Sequence, residues 1–176
     1  MILGAGETIR NTDQRDFETM HDSGKEPVVS LTLRPIVDRM LIDAYAVLDP
    51  VKYFIDYKIV ESHQSIIVTP FSLRKDSKMT HLGSIFPFTI KNDCLDFDKT
   101  GAVLPFPSSL GYALMVLVAS KVSRIKLAGF DGFQEGDPRQ AQNQTILDLF
   151  EEKFGKKHKI TFLTPTSYTL RNQASS

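Results

Sequence analysis

The sequence predicts an α/β fold, a three-layer sandwich built around a mostly parallel sheet, and three observations carry that expectation. Short runs of branched apolar residues alternate with longer segments of helical spacing from one end of the chain to the other. The first run, Met1–Leu3, passes at once into the glycine turn Gly4-Ala5-Gly6. Proline or glycine punctuates most of the later runs, at Pro27, Pro35, Pro50, Pro70 and Gly129. Short strands joined by helices imply right-handed crossovers and a sheet covered on both faces.

Met1–Leu3 is the first strand. It falls short of the five or six residues usual for a strand, so it is expected either to continue a preceding segment or to lie at a sheet edge. Asn11-Thr12-Asp13 offers caps for a helix to about His21, marked by Phe17 and Met20 and stopped by Gly24. Val28–Leu33 is the second strand. Ala44–Leu48 reads as a strand closed by Asp49-Pro50, and Val51 to about Ile59 as a helix capped by Asp49 with Pro50 at its first position. Arg34–Asp43 has an alternative reading as helix. Ser65–Thr69 is a strand ended by Pro70, and Ser72–Met79 is a polar connection. In His81–Ile90 the apolar Ile85, Phe86, Phe88 and Ile90 indicate a strand, and Pro87 makes it an edge or irregular one.

Pro105-Phe106-Pro107-Ser108-Ser109 leads into Leu110–Ser120, a segment apolar on every side and therefore expected to be a buried helix. Gly111 and Ala113 within it permit close approach of a neighbour. Arg124–Ala128 is a strand that runs into Gly129-Phe130-Asp131-Gly132. Asp137-Pro138-Arg139-Gln140 sets a cap, a first-position proline and a third-position glutamine in capping-box order. The helix it opens carries Ile146, Leu149, Phe150 and Phe154 and ends at Gly155. Ile160–Leu163 is the last strand. Residues 1–170 thus read as one domain, followed by a polar tail over 171–176.

The bulk properties narrow the function classes. A chain of 176 residues suits one domain. Acidic and basic residues balance at 21 each, which removes any electrostatic case for nucleic acid or an anionic membrane. The single cysteine, Cys94, excludes an internal disulfide framework and fits a reducing, cytoplasmic compartment. The longest apolar run, Tyr112 to Ala119, is too short to span a bilayer, and no signal peptide is visible.

Ligands of parallel sheets bind at the carboxyl ends of the strands, so the candidate residues are sought there. Gly4-Ala5-Gly6-Glu7-Thr8 can turn its backbone N–H groups toward a phosphate and add the Thr8 hydroxyl, or can need glycine for geometry alone. NAD is disfavoured: a third fingerprint glycine would fall at Ile9, and Leu33-Arg34-Pro35 supplies no acid after the second strand. Asp131, beside Gly132, can accept a ligand hydroxyl or close an Asx-turn on its own backbone. Ser108 and Ser109 can face a phosphate, or Ser108 can serve as a helix cap. Asp96-Phe97-Asp98 spells the aspartate pair of many sugar-nucleotide transferases but sits in a polar stretch that reads as a turn, so no metal site is assigned. His21, His63, His81 and His158 are scattered without ligand spacing. Thr164-Pro165-Thr166-Ser167-Tyr168 is a polar strand exit that lines a pocket or forms only a turn.

Three stretches together resemble a known family: Ile2-Leu3-Gly4-Ala5-Gly6-Glu7-Thr8, then Ser109-Leu110-Gly111-Tyr112-Ala113 with Ile125 to Phe133, then Phe162 to Tyr168. In this order they are similar to a Rossmann-like domain of bacterial surface-polysaccharide clusters. That domain follows an HMG-CoA-lyase-like, or 4-hydroxy-2-oxovalerate-type, aldolase barrel and is distantly similar to bacterial sialyltransferases that use CMP-sialic acid. The resemblance implies that Gly4, Gly6 and Thr8 face a nucleotide phosphate, with Ser109 and Asp131 near the same cleft. It implies an upstream aldolase barrel as partner and a nucleotide or nucleotide-sugar ligand, CMP-type favoured. The phosphate-type turn has no acid–base or nucleophile constellation beside it, so the domain is expected to bind without catalysis of its own. A small glycosyltransferase using a CMP- or UDP-sugar is the alternative. A module that only docks or forms a homo-oligomer is the third reading.

Overall fold

A computed structural model of the chain describes residues 1–11, 27–33, 37–61, 66–71 and 83–171. The helix expected to run to His21 and the Ser72–Met79 connection lie outside those residues, apart from Asn11, which ends a 3-10 turn over Glu7–Asn11. Seven strands form one sheet: β1 (Ile2–Leu3), β2 (Val29–Ser30), β3 (Ala44–Ala46), β4 (Ile66–Thr69), β5 (Gly83–Ile85), β9 (Arg124–Ala128) and β10 (Lys159–Phe162). Their order is β10-β9-β1-β2-β3-β4-β5, and every pair is parallel. Three further strands, β6 (Phe88–Ile90), β7 (Asp96–Asp98) and β8 (Gly101–Leu104), make a small sheet in the order β6-β8-β7. Three α-helices are described: α1 (Pro50–Glu61), α2 (Ser109–Ala119) and α3 (Pro138–Phe154).

Side chains alternate across the pleat, and the two faces of the large sheet feed two separate cores. Ile2, Val29, Ala46, Ile125 and Leu127 point to the face covered by α2 and α3. Leu3, Tyr45, Ile67 and Ala128 point to the other, where Ile9 and Tyr53 of α1 close over them. This is the expected α/β, Rossmann-like three-layer fold. The expected burial of α2 also holds: eight of its eleven residues are buried. Gly111 lets α3 approach, since a Cβ there would stand 2.9 Å from Ile146 Cδ1.

Several expectations are corrected. β1 is central, between β2 and β9, and not at an edge. The predicted strands Val28–Leu33 and Ala44–Leu48 are shorter, because Ser30 and Ala46 are the last residues to pair with their neighbours. The alternative helix over Arg34–Asp43 contributes, among described residues, only a 3-10 turn at Arg39–Leu41. The run His81–Ile90 divides at Pro87: β5 closes the edge of the large sheet and β6 begins the small one. Asp96-Phe97-Asp98 is a strand and not a turn, antiparallel to β8, which the sequence did not suggest at all. Three residues carry no periodicity, and β7 exists because β8 supplies its hydrogen bonds and Phe154 packs 6.3 Å from Phe97.

Candidate functional site

The chain leaves β1 toward β2 on one side and leaves β9 toward β10 on the other. The junction of β1 and β9 is therefore the switch point of the sheet, where ligands of parallel sheets bind at the carboxyl ends of the strands. It holds a cleft of about 610 Å³. Gly4, Ala5 and Gly6 form its floor together with Gly129 to Phe133. Pro107 to Leu110 bring the start of α2 to one side, and Lys52 and Asp56 of α1 another. Arg139 and Asn143 of α3, with Tyr168, complete the wall.

The glycine turn is held against β9. Gly4 donates its N–H to the Ala128 carbonyl at 2.8 Å, and Gly6 donates to the Gly129 carbonyl at 2.8 Å. Both glycines are required by closeness. A Cβ on Gly4 would stand 2.3 Å from the Gly129 carbonyl oxygen, and one on Gly6 would stand 2.4 Å from Asp131 Oδ1. Thr8 donates its N–H to Asp131 Oδ2 at 2.9 Å, and its hydroxyl donates to Asp131 Oδ1. Asp131 thus spans from the end of β9 to the turn after β1, and it closes no Asx-turn of its own. Glu7 is exposed and, like Thr8, lies outside the cleft lining.

Ser108 combines both roles weighed for it. It is the N-cap of α2, accepting from the Gly111 N–H at 3.1 Å, and it lines the cleft beside Ser109. Thr164 and Thr166 brace the site from behind and do not line it. Thr164 Oγ1 accepts from the Gly129 N–H at 2.9 Å, and the Thr166 hydroxyl donates to the Phe130 carbonyl. Tyr168 does reach the cleft, and its hydroxyl accepts from Asn143 Nδ2 at 3.1 Å. Burial holds that phenol above its ordinary pKa, so it stays protonated and can donate. Gln140 does not complete a capping box. Its Oε1 accepts from the Phe133 N–H at 2.9 Å, and its Nε2 donates to Ser167, tying the β9 loop to the strand exit after β10.

Lys52, Asp56, Arg139 and Asn143 are cleft residues that the motif search missed. A usable signal existed. Lys52 and Arg139 each sit within the first turn of a helix opened by Asp-Pro, after β3 and β9 respectively, and such turns face the carboxyl rim of the sheet. Arg139 is held by Asp137, and its guanidinium lies 4.2 Å above the Phe133 ring. Among described residues the lining carries two cations, Lys52 and Arg139, and three carboxylates, Asp49, Asp56 and Asp131.

Other candidates lie elsewhere. His158 packs against Phe154, and its Nδ1 is 2.6 Å from the Val122 carbonyl, just before β10 and away from the carboxyl ends of the strands. Asp96 pairs with Lys153, while Asp98 accepts from both the N–H and the hydroxyl of Thr100, which lower its pKa. These two carboxylates are directed at different partners and do not converge. His21, His63 and His81 fall outside the described residues. No helix among the described residues is long and apolar enough to cross a membrane. No family model, no curated protein and no solved structure matches the chain.

Proposed function

We propose that the cleft binds a nucleotide or nucleotide-sugar of the CMP type, and that the chain is a non-catalytic ligand-binding domain. The observation that carries this reading is a cleft of about 610 Å³ at the β1/β9 switch point, walled by glycine turns, helix starts and an aromatic edge. Its size lies within the range of small-molecule sites, and switch points are where parallel sheets hold ligands. Phe133 backed by Arg139 offers a flat surface for a base, and Tyr168 and Asn143 offer polar groups beside it. Lys52 and Arg139 are the described cations of the lining that can meet a phosphate, and its three carboxylates oppose any further negative charge. NAD remains disfavoured because Leu31-Thr32-Leu33 borders the cleft after β2 where a ribose-binding acid would stand.

Transfer chemistry is the alternative reading; the described lining contains neither histidine nor cysteine, so its general base would have to be one of the carboxylates Asp49, Asp56 or Asp131. Placement of the domain behind an aldolase-type, lyase-like barrel in bacterial surface-polysaccharide biosynthesis rests on the family resemblance. A cytoplasmic setting suits Cys94, which pairs with no other cysteine because the chain has only one.

Thermal unfolding against CMP, CMP-sialic acid, UDP-sugars, GDP-sugars and NAD tests the proposal. A ligand that binds only the folded state raises the midpoint, by about 2.7 kcal/mol of stability at a hundredfold excess over Kd. The CMP compounds are expected to raise it most and NAD least. A midpoint unmoved by every nucleotide overturns the reading.

A further inference from the structure

We propose that Asp131 is a specificity-determining residue whose carboxylate fills the anion seat of the glycine turn, so that this end of the cleft rejects phosphate and receives hydrogen-bond donors. The inference deepens the binding role proposed above and rests on the same cleft. A glycine turn after a parallel strand ordinarily offers its N–H groups to a ligand anion. Here three of the five residues of the turn already spend their N–H groups within the chain. The N–H groups of Gly4 and Gly6 donate to the carbonyls of Ala128 and Gly129. The N–H and hydroxyl of Thr8 donate to the two oxygens of Asp131. The carboxylate lies against the turn so closely that a Cβ on Gly6 would stand 2.4 Å from Oδ1 and 2.5 Å from Cγ. The chain has placed its own anion where a phosphate would otherwise approach.

Two consequences follow from charge and hydrogen-bond inventory. A phosphate brought to this turn meets a fixed carboxylate, and like charges about 4 Å apart repel even at the dielectric of water. Each carboxylate oxygen of Asp131 has accepted one bond from Thr8 and retains capacity for another. What meets Asp131 from the cleft side is therefore a donor, of which a sugar hydroxyl is the matching class. A ligand phosphate is directed instead to the cation Lys52 and the start of α2, which line the same cleft.

The test uses the full chain, isotopically labelled, titrated with inorganic phosphate at neutral pH against sodium chloride of matched ionic strength. Amide resonances of Gly4, Gly6 and Thr8 are followed in the wild type and in Asp131→Asn, which retains an acceptor for the Thr8 N–H. Wild-type turn resonances are expected to stay in place, and those of Asp131→Asn to move, with phosphate bound at least about tenfold more tightly at the turn. Asp131→Ser, neutral and smaller, repeats the comparison should the asparagine variant fail to fold. A wild-type turn that responds to phosphate as the variants do overturns the proposal, and so does a turn that stays silent in the folded variants. Nucleotide binding is read separately by the thermal midpoint, so loss of the nucleotide reading leaves this outcome decided on its own.

Discussion

Gly129 is buried at the end of β9, and its N–H has one described acceptor, the hydroxyl of Thr164. Thr164 is itself only 5 % exposed, so water cannot substitute easily if the hydroxyl is removed. Thr164→Val keeps the shape and leaves a buried donor unpaired, which costs about 1–3 kcal/mol. Urea unfolding is expected to show that loss, and an unchanged midpoint would mean the β9 turn relaxes to solvent. The residue scale also shows where motif reading stops. Thr164 and Thr166 were legible as polar residues leaving a strand, which made lining a cleft and forming a turn equally consistent with the sequence. Only the positions of Gly129 and Phe130 show that they brace the loop from behind. Asp131 is the same kind of case: its partner is Thr8, 123 residues away, and no local spacing encodes that.

At the scale of elements, caps and periodicity were informative where the signal is local. Asp137 caps α3 by accepting from the Arg139 N–H at 2.9 Å, and Pro138 stands in its first turn, as the sequence indicates. The Arg139 guanidinium hydrogen-bonds the same carboxylate and holds its pKa below the ordinary value, with the backbone N–H adding to the effect. A carboxyl whose folded pKa is depressed contributes stability that is full above its unfolded pKa and disappears as pH falls through the folded one. Asp137→Asn preserves a good cap without the charge. The variant is therefore expected to be less stable than wild type at neutral pH and equal to it in acid, well below about pH 3.9. A difference that persists unchanged through the acid range would show that charge is not what Asp137 contributes. β7 and β8 were not legible in this way. Together they hold seven residues, and their pairing is set by contacts with α3 and with each other.

Across the whole molecule, burial is uneven in a way that predicts how the fold opens. Ile2 and Leu3 of β1 and Leu127 and Ala128 of β9 are at most 1 % exposed, between two cores. The small sheet is different: Ile90 is 48 % exposed and Phe97 36 %. Amides of β1 and β9 are expected to exchange hydrogen only with global unfolding, and those of β6 and β7 earlier, by local opening. Exchange from both sheets at a single rate would instead mean that they unfold as one unit. The strands expected to exchange last also carry the floor of the cleft, whose loops leave the most deeply buried part of the described sheet.

The sequence by itself determined the class of fold, the long helices and the glycine turn, because each depends on residues near one another in the chain: apolar spacing, caps, and turn residues at strand ends. It also located the carboxyl-end loops Gly4–Gly6, Ser108–Ser109 and Asp131–Gly132, which do meet around one cleft. The tertiary structure alone decided that β1 lies at the centre of the sheet, because strand order depends on pairings between β1, β2 and β9 across more than a hundred residues. It likewise decided that Lys52 and Arg139 join the cleft, and that the turn faces a carboxylate of its own chain. Those are facts of distance between remote segments, and hydrogen bonds and charge act through distance in space, whereas sequence patterns record only separation along the chain.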